Sequence, residues 1–178
     1  LISSYMFQDN IDYVIFDVET TGMKAEEGHA IVELAAQRVH DRQVVDVFDT
    51  IVNPGKKIDK EAEAVHGISN ELVKKDGKAL IEVIPAFVLF ANGATLVAHN
   101  IGFDLSFINK HLKDLKLPTL TNPIVDTLQL AREKVVVGSY SLAYLARHFN
   151  IPQPKAHRAL VDVDVTRQLL FKLLDLKK

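Results

Sequence analysis

Between Tyr13 and Val18 the chain places five apolar residues around a single acid, Asp17, and Glu19 follows at once. An unbroken run of aromatic and β-branched side chains reads as a central strand, and Thr20-Thr21-Gly22 stops it. Side chains two apart on a strand share a face, so Asp17 and Glu19 point the same way. Ionised acids in a central strand are rare unless they are paired or bound to metal. Two adjacent carboxylates also repel each other unless something positive sits between them. A divalent cation with a preference for oxygen, Mg2+ or Mn2+, is the natural partner. The plain alternative, two acids facing solvent, sits poorly with Val14, Ile15, Phe16 and Val18 around them.

The rest of the pattern alternates strands and helices. Ala30 to His40 and Gln43 to Val52 read as two more strands joined at Asp41-Arg42, a length suited to a hairpin. The three strands make an antiparallel meander that Pro54-Gly55 ends. Asp59 to Val65 reads as a short helix, and Ser69 as the N-cap of another. Leu80 to Phe90 has helical spacing, with Pro85 expected to kink or divide it. Thr95 to His99 is a fourth strand and Ile101 to Leu115 a helix with Phe103, Phe107, Ile108 and Leu112 on one face. Ile124-Val125 is a short fifth strand. Helices follow over Thr127 to Lys134, Ser141 to Phe149 and about Ala156 to Leu176. The expectation is one α/β domain over residues 1–178, with residues 1–10 as an N-terminal extension.

Composition narrows the function classes. With 48% hydrophobic and 25% charged residues, the 178-residue chain fits a globular domain rather than a disordered one. It has no cysteine, which removes disulfides and thiolate metal sites and leaves carboxylate and imidazole ligands. No apolar run approaches the ~20 residues of a membrane span, and Leu1 to Met6 lacks the pattern of a secretion signal, so a cytoplasmic location is expected. The formal net charge is -2. A broad electrostatic grip on nucleic acid is therefore not expected, and an enzyme acting on it would draw positive charge from bound metal.

Two further segments carry acids in telling places. Asp104 opens the helix after the fourth strand, within His99-Asn100-Ile101-Gly102-Phe103-Asp104. Acids are common in a first helical turn, but sites in α/β sheets collect where strands end and helices begin. In the last helix, His157-Arg158-Ala159-Leu160-Val161-Asp162 puts His157 and Asp162 five apart, which is not a shared helical face. If His157 precedes the helix it can fold back over Asp162. Asp164 is read as a solvated surface acid, and His29, His40, His111 and His148 as ordinary surface residues.

Taken together, Asp17-Val18-Glu19-Thr20-Thr21-Gly22, the segment ending at Asp104, and His157-x-Ala-x-x-Asp162 resemble the three motifs of the DEDDh exonucleases. The resemblance covers roughly residues 11 to 175. Val65-His66-Gly67-Ile68 and Asn122 to Leu128 are similar to the proofreading branch, as found in PolC-type bacterial polymerases and the epsilon subunit. A polymerase insert would also explain the missing initiator Met.

The resemblance implies a ribonuclease H-like fold, a five-stranded mixed sheet of order 3-2-1-4-5 flanked by helices. It implies two divalent ions, Mg2+ or Mn2+, held by Asp17, Glu19, Asp104 and Asp162. His157 is then the base that takes a proton from the attacking water. The substrate is the 3′ end of single-stranded or frayed DNA, the product a nucleoside 5′-monophosphate, and the partner a polymerase in the same chain or another subunit. Thr20, Thr21, Gly22, Met23, His66, Asn100 and Phe103 are the candidate substrate-binding residues, with Phe103 equally readable as core.

Three rivals follow from the same residues. One is a phosphomonoesterase, suggested by Asp17-Val18-Glu19-Thr20-Thr21, although that chemistry needs a second Asp where Glu19 stands. Another is a nuclease fold used only for binding. The third is a related enzyme acting on RNA ends or short oligonucleotides. Gln168-Leu169-Leu170-Phe171 faintly resembles a sliding-clamp-binding peptide, but a mid-helix stretch that fills a buried stripe cannot act as an extended tail.

Overall fold

The computed structural model describes residues 11–154 and 157–176. The expected N-terminal extension and the expected helix start at Ala156 lie outside them. The strand marked first by the sequence is β1 (Tyr13–Thr20), and it is the middle of the sheet. On one side it pairs antiparallel with β2 (Ile31–His40), which turns through Asp41-Arg42 into β3 (Gln43–Asn53). Asp41 and Arg42 both take positive φ (47° and 64°), as a two-residue hairpin turn of matching twist requires. On the other side β1 pairs parallel with β5 (Thr95–Ala98), and β5 with β6 (Ile124–Asp126).

Among the described residues the sheet has six strands, in the order β4-β3-β2-β1-β5-β6. The expected five stand in the expected order, with the last two parallel to β1. The addition is β4 (Lys78–Ala79), which pairs parallel with Val52 and Asn53 at the edge. Two residues are too few to show a strand period, so only the pairing reveals it.

Helices cover both faces. Val14, Phe16 and Val18 point to the face covered by α3 (Leu80–Phe90) and α4 (Ile101–Asp114), where they meet Ile84, Phe87, Phe107 and Ile108. Tyr13 and Ile15 point the other way, onto α5 (Thr127–Lys134), α6 (Leu142–His148) and α7 (Ala159–Asp175), through Leu130, Leu145, Val163 and Leu169. Asp17 and Glu19 follow Tyr13 and Ile15 in this alternation and so face α7. A smaller cluster of Val32, Ile58, Ile68 and Val73 seats α1 (Lys60–His66) and α2 (Asn70–Asp76). Ser69 caps α2, its hydroxyl accepting the Leu72 N–H at 3.1 Å.

Pro85 does not divide α3, which runs unbroken from Leu80 to Phe90. The helical bond it removes would end on Ile81, which is 66% exposed, where water can take the carbonyl. Buried Val83, Ile84 and Phe87 hold the helix to the sheet. Among the described residues, no helix is long and apolar enough to cross a membrane.

Candidate active site

β1 outruns its parallel neighbour. β5 pairs only with Tyr13, Val14 and Ile15, so the later part of β1 has an edge free of strand contact on that side. Asp104, in the first turn of α4, comes up to this edge, and its Oδ1 accepts the Val18 N–H at 3.1 Å. Asn100 holds the turn before α4 in a left-handed conformation (φ 67°), and its N–H donates to Asp126 Oδ1 at 2.9 Å. Asn and Asp tolerate that conformation better than most residues. The neighbouring His99 packs between Thr127 Oγ1 and the Tyr140 carbonyl, at 2.9 and 2.8 Å, which ties the starts of α4 and α5 together.

Asp162 arrives from the opposite face, in the first turn of α7. That helix starts at Ala159, later than its sequence pattern suggests, so His157 lies in the turn ahead of it with φ 60°. The His157 N–H donates to Asp162 Oδ2 at 2.9 Å, and Gln153 Nε2 donates to Oδ1 at 2.9 Å. Glu19, His157 and Asp162 each present a ligand atom within 4.8 Å of the others.

The electrostatics of this cluster suit a bound cation. Burial pushes the Asp17 carboxyl well above its ordinary range, and the charges of Asp104, Glu19, Asp162 and Glu33 push it further. Burial raises Glu19 to about 8, with Asp162, Glu33 and Asp104 adding to the rise. Asp104 is raised to about 8, chiefly by burial. Asp162 is raised by burial and lowered in part by its bonds from Gln153 and His157. None of the ion pairs among the described residues includes any of these four acids. Hard carboxylate oxygens crowded together without an ion-pair partner of their own fit a divalent ion such as Mg2+ or Mn2+.

Beside Glu19 lies a cavity of about 540 Å³ whose lining includes Val18, Thr20, Gly22, Met23, His66 and Phe103. Thr20 Oγ1 donates to the Gly22 carbonyl at 2.7 Å and so shapes the loop. An added Cβ at Gly22 would lie 2.3 Å from the His29 ring, so the ring packs here only because residue 22 has no side chain. Met23 is 76% exposed at the cavity rim. Phe103 has two surroundings. It lines the cavity, and its ring packs at a tilt of 52° against core Phe107 with centroids 5.1 Å apart.

Thr21 faces inward. It is fully buried, and its hydroxyl accepts the Ala30 N–H at 3.1 Å and lies 3.2 Å from His29 Nδ1. Asn100 is exposed and does not line this cavity. His66 is buried with both nitrogens engaged: Nδ1 accepts the Ile68 N–H at 3.0 Å and Nε2 meets the Thr20 carbonyl at 3.2 Å. That fixes the Nε2–H tautomer, and burial lowers its pKa, so the ring is a neutral brace between α1 and the end of β1.

Sequence reasoning missed Glu33, Arg158 and Gln153, which hold the cluster from behind. It also misplaced His111 and His29, whereas His40 is exposed as expected. His111 is buried in α4 with Nε2 accepting the Ile31 N–H at 3.4 Å, and burial lowers its pKa to about 4. His29 packs on Gly22, and His40 Nδ1 lies 2.7 Å from Asp12 Oδ1. Asp164 is not a bare surface acid either, since Arg167, Gln168 and Gln37 all reach it. A buried acid in the apolar strand around Glu33 was the one readable signal among these.

A mixed sheet of this order, with acids from its central strand and two flanking helices converging at one end, defines a ribonuclease H-like nuclease of the carboxylate class. Residues 14–170 match the family model described as Exonuclease, and the chain belongs to that family. It is 38% identical over 165 residues to the DNA polymerase III PolC-type of Caldanaerobacter subterraneus subsp. tengcongensis, covering 92% of this chain and 12% of that protein. It is 41% identical over 174 residues to a DNA polymerase III subunit epsilon-like protein of Rhodobacter capsulatus, covering 93% of this chain and 24% of that one. The chain thus spans a small part of the curated relatives it matches. Among solved structures, exonuclease X in complex with 5′ overhanging duplex DNA superposes with a TM-score of 0.74 at 27% identity, covering 92% of this chain and 91% of that one. The nuclease domain of 3′hExo, a DEDDh family member bound to rAMP, gives 0.78 at 16% identity and shares the fold, over 96% and 93% of the two chains.

Proposed function

We propose that this chain is a 3′–5′ exonuclease that removes nucleoside 5′-monophosphates from DNA 3′ ends and proofreads for a bacterial replicative polymerase in the cytoplasm. The observation that carries this reading is the convergence of Asp17, Glu19, Asp104 and Asp162 beside a cavity of about 540 Å³. The four acids would hold two divalent ions, Mg2+ or Mn2+. When bound, such a pair supplies the positive charge that an in-line attack on a phosphodiester requires.

The chain's own residues supply the rest. His157, exposed at the turn into α7 and close to Glu19 and Asp162, takes the proton of the attacking water on an imidazole nitrogen. Met23 and Phe103 offer apolar surface to the last base, and stacking of that kind tolerates any sequence. Thr20, Gly22 and His66 shape the floor of the cavity, with Thr21 fixing the loop from inside and Asn100 placed outside it. A polymerase partner, in the same chain or as another subunit, is supported by the likeness to DNA polymerase III relatives.

The test uses a primer labelled at its 5′ end, matched or mispaired at its 3′ terminus, with Mg2+, Mn2+ or EDTA. The expected result is a ladder shortening from the 3′ end, faster on the mispair and absent in EDTA. Faster trimming of a matched RNA oligonucleotide would move the substrate to RNA. Phosphate release from monoesters without shortening would move the enzyme to another class.

A further inference from the structure

Glu19 and Glu33 stand directly opposite one another across the β1–β2 pair. Like charges in that position are destabilising. The structure resolves the conflict by giving one of them a cation from the chain itself. Glu33 is 1% exposed, and Arg158 reaches its Oε1 with Nε at 3.1 Å and Nη2 at 2.6 Å. The Ala159 N–H, the first of α7, donates to Oε2 at 2.9 Å. A guanidinium fork on a carboxylate fixes direction as well as charge, which a point cation does not.

The residues on either side of this clamp belong to the site. His157 precedes Arg158, and the Arg158 carbonyl accepts the Asp162 N–H at 3.1 Å. Asp162 Oδ2 in turn accepts the His157 N–H. The position of Arg158 therefore sets both where the first turn of α7 begins and where the preceding turn folds back. Neither Glu33 nor Arg158 lines the cavity beside Glu19.

We infer that the Glu33–Arg158 pair holds His157 and Asp162 in register with Glu19, so that Glu33 and Arg158 are positioning residues for the reaction proposed above, on which the inference rests. The pair does this in two ways. It gives the acid opposite Glu19 a cation of its own, which leaves Glu19 as the member of that cross-strand couple available to a metal. It also pins α7 to β2 at the point where the two motif residues leave the helix start. A clamp that served folding alone would lower thermal stability and leave the folded enzyme's turnover and metal affinity unchanged.

The experiment compares the wild-type chain with Glu33→Gln and Arg158→Lys. Gln keeps an acceptor for the Ala159 N–H but not the charge, and Lys keeps the charge but not the fork. Circular dichroism and Tm establish folding, Mn2+ binding is measured by the electron paramagnetic resonance of the free ion, and kcat and KM come from 3′ trimming. Removing such supporting partners typically costs about 10–100-fold in metal affinity or activity, and that is the expected loss in both Mn2+ affinity and kcat, with KM within about two-fold. Should Glu33→Gln fail to fold, Arg158→Lys decides alone. A folded variant with wild-type Mn2+ affinity and kcat overturns the inference, and so does a loss confined to KM. If the wild-type chain trims nothing, the proposed reaction falls, while the Mn2+ titration of the variants still decides the positioning role.

Discussion

Asp104 Oδ1 accepts the backbone N–H of Val18 at 3.1 Å, across 86 residues of chain. One carboxyl thereby closes the open edge of β1 and stands in the acidic cluster. The two roles separate in Asp104→Asn, because an amide oxygen still accepts the N–H but carries no charge. Burial holds this carboxyl at about 8, so its charge is a burden on the metal-free fold. The expected outcome is a Tm in EDTA at pH 8 equal to or above wild type, with trimming reduced by roughly 10² or more. Asp104→Ala loses the bond as well and should be less stable than Asp104→Asn by about 1–3 kcal/mol in denaturant unfolding.

Glu19 and Asp104 both titrate at about 8 in the fold, against 4.5 and 3.8 ordinarily. Between those values the folded state binds more protons than the unfolded state, so stability is full below about 4 to 5 from these groups and falls as pH rises toward 8. In EDTA, Tm should drop by about 5 °C or more over that interval. Mn2+ should restore it, and by more at pH 8 than at pH 5. A flat Tm profile in EDTA would contradict the crowded, uncompensated acids.

His111 works on the other limb. Its pKa is lowered from 6.5 to about 4 by burial, so the unfolded state takes up the proton first. Stability from this residue is complete above about 6.5 and is lost as pH falls toward 4. Isosteric removal of the titration in His111→Gln should flatten the acid limb of a urea-midpoint profile and leave trimming intact, since His111 braces Ile31 away from the acids.

His157→Ala should reduce kcat by about 10²–10⁴ with KM nearly unchanged, the usual size of a lost general base. Free imidazole added with Mg2+ should return part of the rate. A variant as fast as wild type would remove the proton from this residue's account.

Much of this was legible in one dimension because it is local. The apolar run of β1 and its two-residue period are enough to put Asp17 and Glu19 on one face, and the hairpin at Asp41-Arg42 and the cap at Ser69 are written in neighbouring residues. The spacing of His157 and Asp162 showed only that the two do not share a helical face, and that His157 lies in a turn before α7 follows from the helix starting at Ala159.

What only the tertiary structure decided are contacts that no period encodes. Glu33 and Arg158 meet over 125 residues, and although Glu33 stands out in an apolar strand, nothing near it in sequence names its partner. The same holds for the tautomer of His66 and the burial of His111. Secondary structure answers to short-range sterics and hydrophobic spacing, which sequence displays. The state of a buried charge answers to which distant dipoles and ions the packing brings within a few ångströms, and that exists only once the sheet and its helices have closed.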